Sequence, residues 1–181
     1  GIAGSLLCRH LMQTGADVLV IDENNEYTSS KVASGITNPV TGRRLVKTWL
    51  ADELIPYTHQ VYSSLQQELE QHFFDPMPIS RVFDSVKAVN DWSVRADTED
   101  YQAYLSNGDV IHYDISKIDN PLGAFQINGG SRLNMRVFLN AFAGLLKKKE
   151  RLWEEQLDAQ HLDFSERSVR YKDITASKII F

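Results

Sequence analysis

The sequence is poor in the features that mark an exported, membrane-inserted or metal-binding chain. Its single cysteine, Cys8, excludes an intramolecular disulfide and fits a reducing compartment. No apolar run approaches the roughly 18–20 residues of a membrane span, and no signal-peptide pattern opens the chain. A cytoplasmic protein with no membrane span is therefore expected. Neither sign of charge dominates: 19 Lys+Arg against 24 Asp+Glu leave a net charge of −5, which argues against a dedicated nucleic-acid binder. His10, His59, His72, His112 and His161 are scattered, with no cysteine partner and no H-E-x-x-H spacing, so no metal site is expected. The phosphate-loop pattern G-x-x-x-x-G-K-[ST] is missing, and so is the G-x-S-x-G elbow of a serine hydrolase. There is no internal repeat and no low-complexity segment.

What is present is an ordinary globular composition. Of 181 residues, 43 % are apolar and 10 are glycine, enough to build a core and too apolar for intrinsic disorder. The length suits one domain or one domain with a small second lobe. The chain opens on Gly1-Ile2-Ala3-Gly4 without a methionine and closes on Ile179-Ile180-Phe181. Both ends read as cuts through ordered structure, so a longer polypeptide is expected.

Helical spacing of Ile2, Leu6, Leu7, Leu11 and Met12, with Gly15 as a stop, predicts a helix over 2–14. The continuous apolar run Val18-Leu19-Val20-Ile21 predicts a parallel strand buried on both faces, ending at Asp22-Glu23. Residues 34–44, holding Gly35, Pro39 and Gly42, read as an irregular loop. A long amphipathic helix is predicted from about 52 to 72, with Pro56 near its first turn. Residues 74–78, with two prolines, break it and form the expected internal boundary.

Beyond that boundary the short aromatic and β-branched stretches 81–89, 92–96, 101–105 and 110–113 predict four to five antiparallel strands. Ser106-Asn107-Gly108-Asp109 is a strong hairpin turn among them. A second amphipathic helix is predicted over 133–149, with Lys147, Lys148 and Lys149 at its C-terminal end where cations are favoured. Short strands are expected at 151–157, 167–172 and 177–181. Cys8 reads as a buried, inert thiol, and Trp49, Trp92 and Trp153 as packing residues.

Chemistry enters at the opening. In the dinucleotide fingerprint G-x-G-x-x-G, Gly1 and Gly4 fall on the second and third glycines, which allow backbone to approach a pyrophosphate and a helix to pack close to its strand. The helix N-terminus offers N–H groups and partial positive charge to phosphates. Asp22, 18 residues after Gly4 at the end of the apolar strand, is placed to accept hydrogen bonds from a ribose diol. The small-residue loop Ser29-Ser30-Lys31-Val32-Ala33-Ser34-Gly35 permits close approach to a flat ligand.

The order of GIAGS, the strand VLVID, the loop SSKVASGI, an inserted antiparallel lobe and a return segment through Gly129-Gly130-Ser131 into a helix resembles the D-amino-acid oxidase/glycine oxidase superfamily of FAD-dependent oxidoreductases. The resemblance covers essentially all 181 residues, about the first half of such a protein. It implies an α/β fold: a Rossmann-like FAD-binding layer, incomplete at both ends, over residues 1–74 and 131–181, with an inserted antiparallel β-rich substrate lobe over 75–130. It implies that Gly1, Ile2, Ala3, Gly4, Asp22 and Glu23 hold the ADP part of FAD. Ser30, Ala33, Ser34 and Gly35 would then lie along the pyrophosphate and flavin, and the Leu157 backbone beside the adenine. The implied reaction is oxidation of a small amine or amino acid by hydride transfer to the flavin.

A carboxylate-binding arginine is expected in such a site, with Arg43, Arg44, Arg81, Arg132 and Arg136 as candidates. No catalytic residue is assigned. The same fingerprint also serves an NAD-dependent dehydrogenase, and the fold alone would serve a catalytically degenerate interaction protein.

Overall fold

Local periodicity governs the long helices, and the strands between them are short. The computed structural model describes residues 1–106, 119 and 122–181. The order begins with helix α1 (Ile2–Gln13), strand β1 (Val20–Ile21), the one-turn helix α2 (Ser29–Val32), β2 (Ile36–Thr37), β3 (Val40–Thr41) and β4 (Val46–Lys47). It continues with α3 (Ala51–Leu69), β5 (Phe74–Pro76), β6 (Ile79–Val82), α4 (Val86–Ala96), β7 (Leu105–Ser106) and β8 (Ala124–Ile127). It ends with β9 (Ser131–Leu133), α5 (Met135–Lys148), β10 (Leu152–Trp153), β11 (Leu162–Phe164), β12 (Val169–Tyr171) and β13 (Ile174–Ala176). The fold is mixed α/β, with several small sheets and no closed barrel among the described residues. No helix among them is long and apolar enough to cross a membrane.

The chain divides into two compact units, Gly1–Ala33 with Leu139–Phe181, and Ser34–Phe138. These breaks differ from 74/75 and 130/131. Two strand pairings account for the difference, since β9 pairs antiparallel with both β2 and β5 and draws 34–74 and 131–138 into the second unit.

In the first unit α1 stops as expected: the Thr14 N–H reaches the His10 and Leu11 carbonyls, and Gly15 takes φ +83, a left-handed stop that costs glycine little. Cys8 is buried on this helix, and burial pushes its thiol pKa up. The expected parallel strand forms over two residues only. Val20 aligns with Leu152 and Ile21 with Trp153. It is half-buried, not buried on both faces, which corrects the sequence expectation. After β10 the chain makes the antiparallel meander β11-β12-β13. The strand expected at 177–181 is replaced by β13, which pairs through Tyr171↔Ile174.

In the second unit, 34–44 is not irregular. It contributes β2 to the sheet β2-β9-β5 and pairs β3 with β4. Helix α3 ends where Glu70 turns left-handed at φ +50. Gln66 Oε1 then accepts the N–H groups of Phe73 (2.7 Å) and Phe74 (2.8 Å), which leads the chain directly into β5. Residues 74–76 are therefore a strand paired with β9. Tyr62, Leu65, Phe73, Phe74 and Phe138 are buried here, with Tyr62 stacked on Phe74 at 5.3 Å and Phe73 tilted against Phe138 at 5.3 Å.

The largest departure is at 86–96, where helix α4 stands in place of two predicted strands. The Ser85 hydroxyl accepts the Ala88 N–H at 3.2 Å and caps the helix. Ala88, Val89, Trp92 and Ala96 then fall on one face, against a core that includes Phe83, Phe125 and Ile127. β6, β8 and β7 form an antiparallel sheet in that order, three strands among the described residues of the stretch where four to five were expected. The predicted strand at 110–113, and Asn107 to Asp109 of the predicted turn, lie outside the described residues. Trp49 is 78 % exposed and is not the packing residue expected. Trp92 does pack, 5.7 Å from Phe83 and 5.8 Å from Phe125.

Candidate functional site

Three elements of the first unit meet at the start of α1. Asp22 follows β1 directly and extends its ladder, donating its N–H to the Trp153 carbonyl at 3.0 Å. Its carboxylate turns back on the chain. Oδ1 accepts the Asn24 N–H at 2.7 Å, and Oδ2 lies 3.4 Å from the Gly1 nitrogen. Asn24 adopts φ +55, a conformation asparagine tolerates better than most residues. From α2, the Ser30 hydroxyl accepts the Ile2 N–H at 3.2 Å, satisfying one of the donors a helix leaves open at its N-terminus. The first turn carries no acidic residue, and Gly1 provides no side-chain cap.

Below this group Lys31 is almost wholly buried. Its ammonium donates to the Asn24 carbonyl (3.3 Å), Asn24 Oδ1 (3.0 Å) and Glu26 Oε1 (3.2 Å), which meets the requirement that a buried charge be paired and hydrogen-bonded. Asn24 Nδ2 in turn donates to Glu154 Oε1 at 3.0 Å. Glu154 also pairs with Lys147 at 2.7 Å, and that hydrogen bond from Lys147 is the main reason its carboxyl pKa is lowered. The loop bearing Asp22 is thus held from below by Lys31 and from the side by Glu154. Lys31 lies in the small-residue loop singled out from the sequence, but its burial depends on acceptors gathered only by the loop's folded path.

The structure therefore brings together Gly1, Ile2, Asp22 and Ser30 of the predicted set. Ala3 and Gly4 lie exposed in the first turn of α1, and Glu23 is exposed beside Asp22. Gly4 does not act as a close-packing glycine, since a Cβ there would meet nothing within 4 Å. Gly1 is the tighter position, with a would-be Cβ 2.9 Å from Ser30 Oγ. Ala33 ends α2, whereas Ser34 and Gly35 belong to the second unit. Gly35 has a backbone reason to be glycine. At φ +68 its Cβ would fall 1.9 Å from the Leu133 carbonyl oxygen, and Gly35 O accepts the Leu133 N–H at 2.8 Å. Leu157 is half-buried between β10 and the 3₁₀ turn Ala159–His161, and it does not line the groove at Asp22.

That groove measures about 50 Å³, well below the roughly 300 Å³ at which pockets begin to enclose small ligands. Its residues can border a ligand but not surround one. What they offer is a helix N-terminus for an anion and a partly exposed carboxylate for hydroxyl donors. Among the described residues no group of three or more His, Cys, Asp or Glu side chains is placed to hold a metal ion. Of the candidate arginines, Arg43, Arg44 and Arg81 line one cavity of the second unit, while Arg132 and Arg136 are exposed on β9 and α5. No protein-family model, curated protein or solved structure matches the chain.

Proposed function

We propose that the chain carries the ADP-binding part of an FAD-dependent oxidoreductase of the D-amino-acid oxidase/glycine oxidase type, acting on a small amine or amino acid. The observation that carries this reading is the Asp22 carboxylate at the end of a parallel strand, facing the first turn of α1. Parallel pairing of β1 with β10 needs a crossover connection, which supports the reading of a doubly wound sheet. In this reading the first turn of α1, which carries no acidic residue, receives the pyrophosphate beside the Ile2 N–H held by Ser30, and the fixed partial charge of the helix favours the anion. Asp22 accepts hydrogen bonds from the adenosine ribose, and its hydrogen bond from the Asn24 N–H fixes the carboxylate's orientation. Lys31 and Ser30 hold the loop and the helix start in place. Bound FAD would supply the two-electron acceptor, and the groups of this chain bind and orient it. The Rossmann-like layer with an inserted substrate lobe is part of the same proposal.

The test is an absorbance spectrum of the purified protein after saturation with FAD and removal of excess, repeated anaerobically with a panel of amino acids. Retained flavin bands that bleach with one substrate are expected. Bands that never bleach would move the reading to a protein that keeps the fold without this reaction. No retained FAD, together with NADH binding followed by fluorescence, would move it to a nicotinamide-dependent dehydrogenase.

A further inference from the structure

The second unit holds a cavity of about 310 Å³ at the start of α4. Its floor is aromatic: Phe83 and Phe125 stack at 5.0 Å, with Trp92 packed behind both. Its rim is cationic. Arg43 and Arg44 come from the turn between β3 and β4, Arg81 from β6 and Lys87 from α4. Against these four cations the lining has two carboxylates, Asp84 and Asp91, an excess of two positive charges.

The cations differ in how they are engaged. Lys87 is paired with Asp91 at 2.7 Å. Arg81 donates to the Gly42 carbonyl at 2.9 Å and lies 5.7 Å from the centre of the Phe125 ring, so it is held in position while keeping its charge. Arg43 and Arg44 are exposed and have no ion-pair partner among the described residues. Their turn is nevertheless anchored, because the next residue, Leu45, is 3 % exposed and belongs to the core. Two adjacent guanidinium groups on an anchored turn, lining one cavity with a third that is fixed, form a site with repulsion that an anion would relieve.

We propose that this cavity binds a small organic phosphate monoester, with its phosphate on Arg43, Arg44 and Arg81 and its apolar body on the Phe83–Phe125 floor. A phosphate monoester carries a charge of about −1.5 to −2 at pH 7, which matches the excess of two, whereas a carboxylate balances only half of it. Guanidinium forks match phosphate oxygens in geometry as well as charge. The volume lies at the lower end of small-molecule pockets, which limits the body to about one ring. All of these residues lie within the second unit, so the inference does not rest on flavin binding.

The test is isothermal titration calorimetry of the whole chain with phenyl phosphate, benzoate and inorganic phosphate, without added flavin. Phenyl phosphate is expected to bind at least about tenfold more tightly than either comparator, and R43A/R44A is expected to weaken it by about tenfold or more. Both arginines are exposed, so an unchanged thermal melt of R43A/R44A is expected. Arg43→Lys with Arg44→Lys, which keeps the charge and loses the fork, supplies a folded comparator if it is changed. The inference is overturned if phenyl phosphate does not bind, or if both double variants bind it as wild type does. Benzoate binding as tightly would overturn the phosphate assignment, and inorganic phosphate binding as tightly would overturn the role of the aromatic floor.

Discussion

The Tyr104 hydroxyl donates to Asp52 Oδ1 at 2.8 Å across 52 positions of sequence. The other oxygen of Asp52 accepts from Lys47 Nζ at 2.6 Å, and the Lys47 N–H donates to the Tyr101 hydroxyl at 3.2 Å. The first turn of α3 is thereby tied to β4 and to the segment entering β7. Burial, reinforced by the hydrogen bond to Asp52, pushes the Tyr104 phenol up to about 12. Hydrogen bonds from Lys47 and then Tyr104 hold the Asp52 carboxyl below its ordinary value. Tyr104→Phe is expected to lower the guanidinium midpoint of unfolding with little change in its slope, since one bond is lost and the ring still packs. An unchanged midpoint would show the contact to be energetically neutral.

Stability should fall on the alkaline side between about pH 10 and 12. Tyr62, through burial, is also pushed up to about 12, while tyrosines of an unfolded chain titrate near 10. In that window the unfolded state has released protons that the native state retains, so the unfolding free energy decreases as pH rises. The contribution is complete below 10. Thermal melts stepped through this range measure the slope, which Tyr62→Phe with Tyr104→Phe should flatten. On the acid side Asp52, Glu154 and Glu155 have lowered values. Their contribution is present above the ordinary carboxylate range and is lost as pH falls below it.

Two glycines of the predicted site should respond in opposite ways to alanine. Gly35→Ala places a Cβ 1.9 Å from the Leu133 carbonyl at a φ of +68 and should cost more than about 2 kcal/mol. Gly4→Ala meets open space inside a helix and should stabilise by about 0.5–1 kcal/mol. Denaturant unfolding of the two variants checks both signs.

Ser30→Ala removes the acceptor of the Ile2 N–H and should cost about 1 kcal/mol, as loss of a helix cap does. Asp22→Ala should weaken FAD binding by about tenfold or more if the carboxylate holds the ribose. Equal FAD affinity in Asp22→Ala and wild type would remove Asp22 from the site.

The amino-acid sequence by itself determined the elements whose bonds are local. Helices α1, α3 and α5 were legible because each hydrogen bond spans four residues, so an apolar stripe and a Gly15 stop describe the whole element. The apolar run before Asp22 likewise marked a parallel strand, and the glycine-acid spacing brought Gly1, Asp22 and, through the loop, Ser30 into view. What only the tertiary structure decided depends on partners distant in sequence. Val86, Val89, Trp92 and Val94 carry strand propensity, yet 86–96 is a helix because Ser85 caps it and Ala88, Val89, Trp92 and Ala96 find Phe83 and Phe125 beneath them. Ile36 and Thr37 are a strand because Arg132 and Ser131 lie opposite, a pairing no local pattern encodes. The same holds for charge: Lys31 is buried because Asn24 and Glu26 supply its acceptors, and Arg43, Arg44 and Arg81 share one cavity because the β3–β4 turn and β6 both border it. Side-chain periodicity reports which way a residue faces, whereas the group it meets is set by non-local packing.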